Sequence, residues 1–543
     1  MSQTRPNILH IFTDMQRADT IHALGNLVIK TPYLDRLCRE GVAFTNAFSP
    51  SPVCISARCC MILGQEPHQT GCYENTLMPV DERHTFMQAL TDAGYRTHGI
   101  GKCHFTPDGL ALRGFETREV QEEGSAKPDE LDQHDYLKFL YDQGYQHICE
   151  AQGIRGEMYY IPQPSQLPPK HHPTQWIGDR SVAFVEAQQP TSQPWYLFSS
   201  FIHPHPPLTP PTPWHKLYRP ALMPLPHVPQ QSEALLSFVN RVQNRYKYRD
   251  QGLDLHLIRT MKAYYYACIS FIDFQIGRLL TALEQSGQLD NTLILFTSDH
   301  GELLGDYNAF GKRSMHDASA RVPMIAHAPG RFDGGRVCDT PVSLIDLAPT
   351  FLSAAETSLS THDMAGEDLA EVAAGTCSRE MVFSQLGYTC KAGKMAQRRG
   401  AAPSHKAGKK AHRRDASPSA EEIASRSSYM AVSKAWKYVY SAPDDREWLF
   451  DRTYDPAESR NCKGVVFCRE ALQTMKTALL DHLRRGGETA GLDGDEWRHF
   501  PRLEVDDDPD TGLLVQDKYT PWAEMRIPGY TNDTASGHVD DIA

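Results

Sequence analysis

The chain has 543 residues, 40% of them hydrophobic and 22% charged, and a net charge of −12 at neutral pH. That length exceeds one ordinary core, so two domains, or one large domain with a subdomain, are expected. The acidic balance argues against general nucleic-acid binding, but not against an anionic substrate, because surface charge is screened beyond ~8 Å.

The first 350 residues alternate strand and helix signals. "NILHIFTD" (7–14) reads as a buried strand, and "TPYLDRLCREG" (31–41) as a helix with Thr31 as cap, proline at its first position and a closing glycine. "VAFTNAF" (42–48) reads as a strand, "TFMQALTDAGY" (85–95) as a helix and "RTHGIGK" (96–102) as a strand. "SVAFVEAQQ" is helical and "WYLFSSFIH" (195–203) a strand; a long helix at about 256–286 precedes the strand "NTLILFTSD" (291–299). Apolar strands alternating with helices predict an α/β fold, a largely parallel sheet with helices on both faces. No run approaches 18 apolar residues, so no membrane span is expected. The start of the chain has no signal-peptide pattern, and thirteen cysteines lack framework spacing, which predicts reduced thiols and a cytoplasmic location.

Sheets of this class gather ligands at the carboxyl ends of their strands. Asp14 ends the first strand. Lys102 and His104 follow "GIG", His203 and His205 follow "WYLFSSFI", and Asp299 and His300 follow "TLILFTS". Each has an ordinary alternative: an aspartate after a strand caps helices and turns, and "HPHPP" makes a stiff loop. "DHGELLGD" nevertheless packs three carboxylates and an imidazole within eight residues.

"SPVCISARCCMILG" (51–64) poses a separate question. The spacing of Cys54, Cys59 and Cys60 is not that of a zinc site. Cys59 and Cys60 sit in an apolar run and read as core. Cys54 lies at a helix start, where free N–H groups favour an anion. Arg58 falls one turn later on the same face. Cys54 is thus a nucleophile candidate beside a fixed cation.

These stretches resemble the sulfatases of the alkaline phosphatase superfamily, over roughly residues 5–480. "RPNILHIFTD", "CISAR…LGQEPHQTG", "GIGKCHF", "SFIHPHPPL", "TSDHGELLGD", "GKRSMHDASARVPMI" and "WLFDRTYDPAESRN" are similar to that family's motifs, in the family's order. The resemblance implies an alkaline-phosphatase-like fold: a large mixed, mostly parallel sheet with helices on both faces, and a smaller C-terminal α+β subdomain with an antiparallel sheet. It implies sulfate monoester hydrolysis by a formylglycine made from Cys54, hence a formylglycine-generating maturation enzyme as partner. Asp14, Asp299, His300 and position 54 would hold one divalent metal. Arg58 would orient the hydrated aldehyde, Lys102 neutralise charge, and His104 act as base. His205 and Lys312 would grip the sulfate, one of them protonating the leaving oxygen, with Asn75 also at the substrate; Lys312 as an ordinary surface lysine is the alternative.

Three departures stand out. Ser56 replaces the family's usual proline or alanine. Met15 stands where many members have a second aspartate, and Asp299-His300 where they have Asp-Asn. The last two resemble the subgroup of phosphonate monoester hydrolases and certain arylsulfatases, as does Asn75, so phosphonate monoester or phosphodiester hydrolysis is the alternative activity. Lys102 and His104 are the sulfatase choice and favour sulfate. A catalytically silent binding protein that keeps its thiol is a third reading. The imidazole suits manganese, with calcium open.

The expected domains are a catalytic unit at 1–375, a partly disordered basic insertion at 376–425, a C-terminal subdomain at 426–485 and an extension at 486–543. Residues 391–414 hold nine Lys/Arg and no acid, a solvated insertion or a polyanion contact. "YTPWAEMRIPGY" (519–530) is rich in aromatics and reads as an arm that makes a homo-oligomer.

Overall fold

The computed structural model describes residues 5–123, 134–155, 158–188, 193–248, 254–387, 418–504, 513–515 and 518–520. Along the catalytic region the strands are β1 (Asn7–Asp14), β2 (Val42–Phe44), β3 (Ala47–Phe48), β4 (Arg96–Gly101), β5 (Thr117–Val120), β6 (Trp195–Pro204), β7 (Thr292–Ser298), β8 (Arg321–Val322), β9 (Met324–His327), β10 (Arg336–Cys338) and β11 (Val342–Ser343). Eight of them form one sheet in the order β10-β2-β9-β7-β1-β6-β4-β5. Every pairing is parallel except those of β9, which runs antiparallel to β7 and β2. β1 and β6 are buried along their whole length, as strands covered on both faces must be. One apolar layer holds Phe12, Phe198 and Phe351, and the other holds Leu9, Ile276 and Phe296.

Several expectations need correction. "VAFTNAF" is two strands in two sheets: β2 belongs to the large one and β3 pairs with β11 and β8. The break falls where the Thr45 N–H donates to Cys338 O at 3.0 Å and the Asn46 amide to Asp339 O at 2.7 Å. Thr31 does not cap helix α1 (Pro32–Glu40) with its side chain. Asp273, on the long helix Leu255–Gln285, accepts the Leu34 N–H at 2.8 Å instead. That long helix is apolar and long enough to cross a membrane by length and composition, contrary to expectation, but 83% of its most apolar window is buried inside the fold.

The second sheet is antiparallel, in the order β12 (Met381–Gly387), β13 (Ser427–Ser433), β14 (Trp436–Ser441) and β15 (Arg446–Asp451). Helix Arg469–Arg485 covers one face through Leu479, Leu480 and Leu483. Strand β12 lies within the stretch read as an insertion, and the hairpin Leu492–Trp497 lies within the supposed extension, its Trp497 ring 4.2 Å from Tyr440. The subdomain therefore draws on chain beyond both expected boundaries. Residues 391–414 lie outside the described residues, as does the aromatic arm after Thr520; Lys518–Thr520 pairs with Leu513–Val515.

The two sheets are bolted together by charge. Lys437 of β14 is fully buried and pairs with Asp317 and Glu458, and its ammonium donates to Met315 O at 3.0 Å. β12 reaches the other way: the Gln385 N–H donates to Pro50 O at 3.0 Å and the Gly387 N–H to Tyr73 O at 3.1 Å.

Candidate active site

Helix α2 (Cys54–Leu63) begins at Cys54, and its ten residues are all buried. No side chain caps Val53, but the Asn75 amide oxygen accepts the Ile55 N–H at 3.0 Å. Asn75, expected at the substrate, is thus tied to the first turn of the helix that Cys54 opens. Ser56 donates to Cys72 O at 2.5 Å, which anchors the same turn. Cys59 and Cys60 are fully buried core, as expected.

The end of β1, the residue pair after β7 and the loop that follows converge on the Cys54 sulfur. Asp14 Oδ1 lies 3.7 Å from Sγ, His300 Nε2 3.2 Å and Lys312 Nζ 2.8 Å. Lys312 Nζ is also 3.2 Å from His205 Nε2. Arg58 lies beneath: Nε donates to Asp299 Oδ2 at 3.0 Å, one terminal nitrogen to Asp14 Oδ2 at 3.3 Å, the other to Lys102 O at 2.7 Å. Lys102 Nζ contacts Asp14 and Glu123. Gly101 (φ +89°) lets this strand end pass close to β6, since a Cβ there would lie 2.1 Å from Ser200 O. Met15, His104 and Arg313 also adopt positive φ, so non-glycine backbone strain flanks three site residues.

Not every candidate joins the cluster. His203 turns into the core, its ring nitrogens 3.3 Å from Thr174 Oγ1 and 3.1 Å from Thr209 Oγ1, stacked on His172. Glu302 accepts the Leu304 N–H at 3.0 Å and Asp306 pairs with Arg17 at 2.8 Å, so of the "DHGELLGD" carboxylates only Asp299 faces the sulfur. Glu123, Arg155 and Tyr159 were not singled out in the sequence. Glu123 Oε2 is 3.2 Å from Arg155 and 3.7 Å from His205 Nε2, and the Tyr159 hydroxyl is 3.3 Å from that same nitrogen. They lie in segments without motif spacing, where only the buried-charge pattern of the fold reveals them.

The electrostatics follow from this packing. Burial alone would push the Cys54 thiol up, but Lys312, Lys102 and His300, with a contribution from His104, hold it well below its ordinary value. Position 54 is therefore a seat for negative charge. Burial, then the neighbouring Asp299 and Cys54, raise Asp14. Burial opposes the ionisation of Asp299 as well, but His300 and Arg58 outweigh it and lower Asp299. Burial lowers His205 against the opposing pull of Glu123. The His104 backbone N–H donates to Glu122 Oε1 at 2.9 Å, while its ring Nδ1 is buried without a hydrogen-bond partner.

One donor atom from each of Asp14, Cys54, Asp299 and His300 lies within 4.8 Å of the others. Two carboxylates sharing a buried site repel one another, and the raised Asp14 records that repulsion. Two oxygen donors, an imidazole and an anionic fourth position fit a divalent cation.

An activated residue at a helix start, a cationic grip and a metal-fitting donor set at the strand ends of an α/β sheet define a hydrolase of the alkaline phosphatase superfamily. The family model for Sulfatase matches residues 6–357, and the chain belongs to that family. It is 28% identical to an arylsulfatase of Clostridium perfringens over 91% of this chain and 97% of that one. It is 29% identical to a choline-sulfatase of Rhizobium meliloti over 85% and 83%. Its fold matches the crystal structure of a phosphonate monoester hydrolase of Agrobacterium radiobacter with a TM-score of 0.73, at 23% identity, over 90% of this chain and 98% of that one.

Proposed function

We propose that the protein hydrolyses sulfate monoesters through a formylglycine made from Cys54. The observation that carries this reading is the convergence of Lys312, His300 and Asp14 on a fully buried Cys54 Sγ at the head of α2. The sulfur marks the position of a hydroxyl of the hydrated aldehyde. Arg58 fixes that turn against Asp14 and Asp299. Asp14, Asp299 and His300 hold a divalent metal, manganese in preference to calcium because one donor is an imidazole. When bound, it supplies Lewis-acid activation of the nucleophile and neutralises the ester oxygens.

The residues then divide the work. One hydroxyl of the diol, already ionised among Lys312, Lys102 and His300, attacks sulfur as the oxyanion; the S–O bond to the alcohol breaks and the alkoxide leaves, taking a proton from His205 or Lys312. His104 takes the proton of the second hydroxyl. The new C=O expels sulfate, and water rehydrates the aldehyde. A simple serine ester has no second hydroxyl and so lacks this route. Lys102, between Asp14 and Glu123, offsets charge developing on the sulfate oxygens.

Mass spectrometry of the peptide spanning Cys54, from protein made in its native host, tests this. Conversion lowers the cysteine peptide by ~18 Da; an unmodified and inactive protein overturns the reading. Hydrolysis of phosphonate monoesters is the second reading, motivated by His300 and Met15. Matched aryl sulfate and phenyl phosphonate ester decide it by kcat/KM. Phosphonate preferred by more than ~100-fold, about 2.7 kcal/mol of transition-state binding, reverses the ranking.

A further inference from the structure

A second cluster of metal-ligating side chains lies outside the candidate active site and shares no residue with it: Glu66, His68 and His482. We propose that these three form a structural site for a zinc-class dication, which staples helix Arg469–Arg485 of the C-terminal subdomain to the segment that follows the nucleophile's helix. Glu66 Oε2 is 2.7 Å from His482 Nε2 and 3.7 Å from His68 Nδ1. A tetrahedral ion with ligand bonds of ~2.0–2.2 Å spaces its donors ~3.3 Å apart, and these two distances straddle that value.

The His68 ring makes the case for a ligand. Its side chain is only 3% exposed, yet Nδ1 has no hydrogen-bond partner and faces Glu66. At 3.7 Å from the carboxylate this is no hydrogen bond, and Oε2 is already engaged by His482. A buried ring nitrogen with nothing to bond is costly to maintain, and a metal ion satisfies it.

The surroundings hold the donors in place, as the shell around a metal site does. The His482 ring stacks on Phe383 at 3.8 Å. Glu66 accepts from the Gln69 backbone in a reciprocal capping box, which fixes its carboxylate. A Cβ on Gly486 would lie 2.1 Å from His68 Nε2, so that glycine makes room for the ring. His482 is 21% exposed on its side chain, which gives an ion a route in from solvent. Two imidazoles and one carboxylate suit zinc, not calcium or magnesium.

The test is zinc stoichiometry on the full chain, which does not depend on turnover or on the state of Cys54. Chelator-stripped protein is reloaded with Zn²⁺, desalted and measured by elemental analysis, for wild type, His68→Gln and His482→Gln. Each variant should hold one zinc fewer per chain than wild type, whatever the catalytic cluster takes up. Equal stoichiometry in wild type and both variants overturns the site. Should the glutamine variants fail to fold, His482→Cys loaded with Co²⁺ decides: a thiolate-to-cobalt charge-transfer band beyond any that cobalt-loaded wild type shows is expected, and identical spectra overturn the proposal.

Discussion

Lys312 Nζ lies 2.8 Å from Cys54 Sγ although 258 residues separate them in sequence. The loop after β7 crosses the head of α2 to make that contact, and it brings the ammonium 3.2 Å from His205 as well. Lys312→Ala should therefore cut kcat/KM for an aryl sulfate by ~10²–10³, the usual cost of a preorganised donor at a developing charge. A loss below tenfold in steady-state kinetics would remove Lys312 from the reacting groups.

Chelation should abolish turnover, and Mn²⁺ should restore more of it than Ca²⁺. Asp299→Asn should lose both bound metal and activity. Retained metal in this variant, measured by elemental analysis, would mean that the donor set is a different one.

Glu123 pulls His205 toward its charged form, while burial pulls it the other way. Glu123→Gln removes the foremost of the groups that favour the proton on His205. His205 then gives up its proton at lower pH. If His205 is the acid, the alkaline limb of the kcat–pH profile should move to lower pH, and an unmoved limb would assign the acid to Lys312.

His203 is held neutral in the folded protein, pushed down to about 4 by burial and by His205. Between pH ~6.5 and ~4 the unfolded chain binds a proton that the folded chain refuses, so stability falls as pH falls through that window. The cost of this one group approaches about 3 kcal/mol at the acid end. Urea melts at neutral and acid pH should show a smaller acid loss for His203→Gln than for wild type.

Lys437→Ala leaves Glu458 buried with only His316, among the described residues, to pair with it, while Asp317 keeps Arg452 and Arg321. Removing one partner of a buried pair costs ~3–5 kcal/mol, read as a lower Tm. Asp317 is on the segment that carries Lys312, so kcat should fall too. A variant as stable as wild type would show that the two sheets dock without this charge.

The sequence made the strand ends legible because each functional residue there follows a long apolar run, as Asp14 and Asp299 do. Cys54 and Arg58 were legible from helix spacing. Asp273 was not recognised as the cap of α1, nor Glu123 as a neighbour of Lys102, because both act across the fold at positions that local pattern does not mark. His203 misled for the converse reason: two residues apart on a regular strand it would share a face with His205, but the strand ends at Pro204 and the two rings meet different partners, Thr174 and Thr209 for one, Lys312 and Tyr159 for the other. The subdomain boundaries failed where β12 and the 492–497 hairpin join a sheet whose other strands lie elsewhere in the chain.

The contact from Lys312 to Cys54 sets a clock. Lys312 comes 258 residues after Cys54, so that cover cannot exist until roughly 13–52 s after Cys54 is made, at ~5–20 residues per second. In the finished fold Cys54 has no exposed surface. Oxidation of its thiol, as proposed above, thus belongs to the interval during translation before the cover closes. A chain that folds faster than it is modified would keep its cysteine, so the yield of active protein becomes a race between two rates.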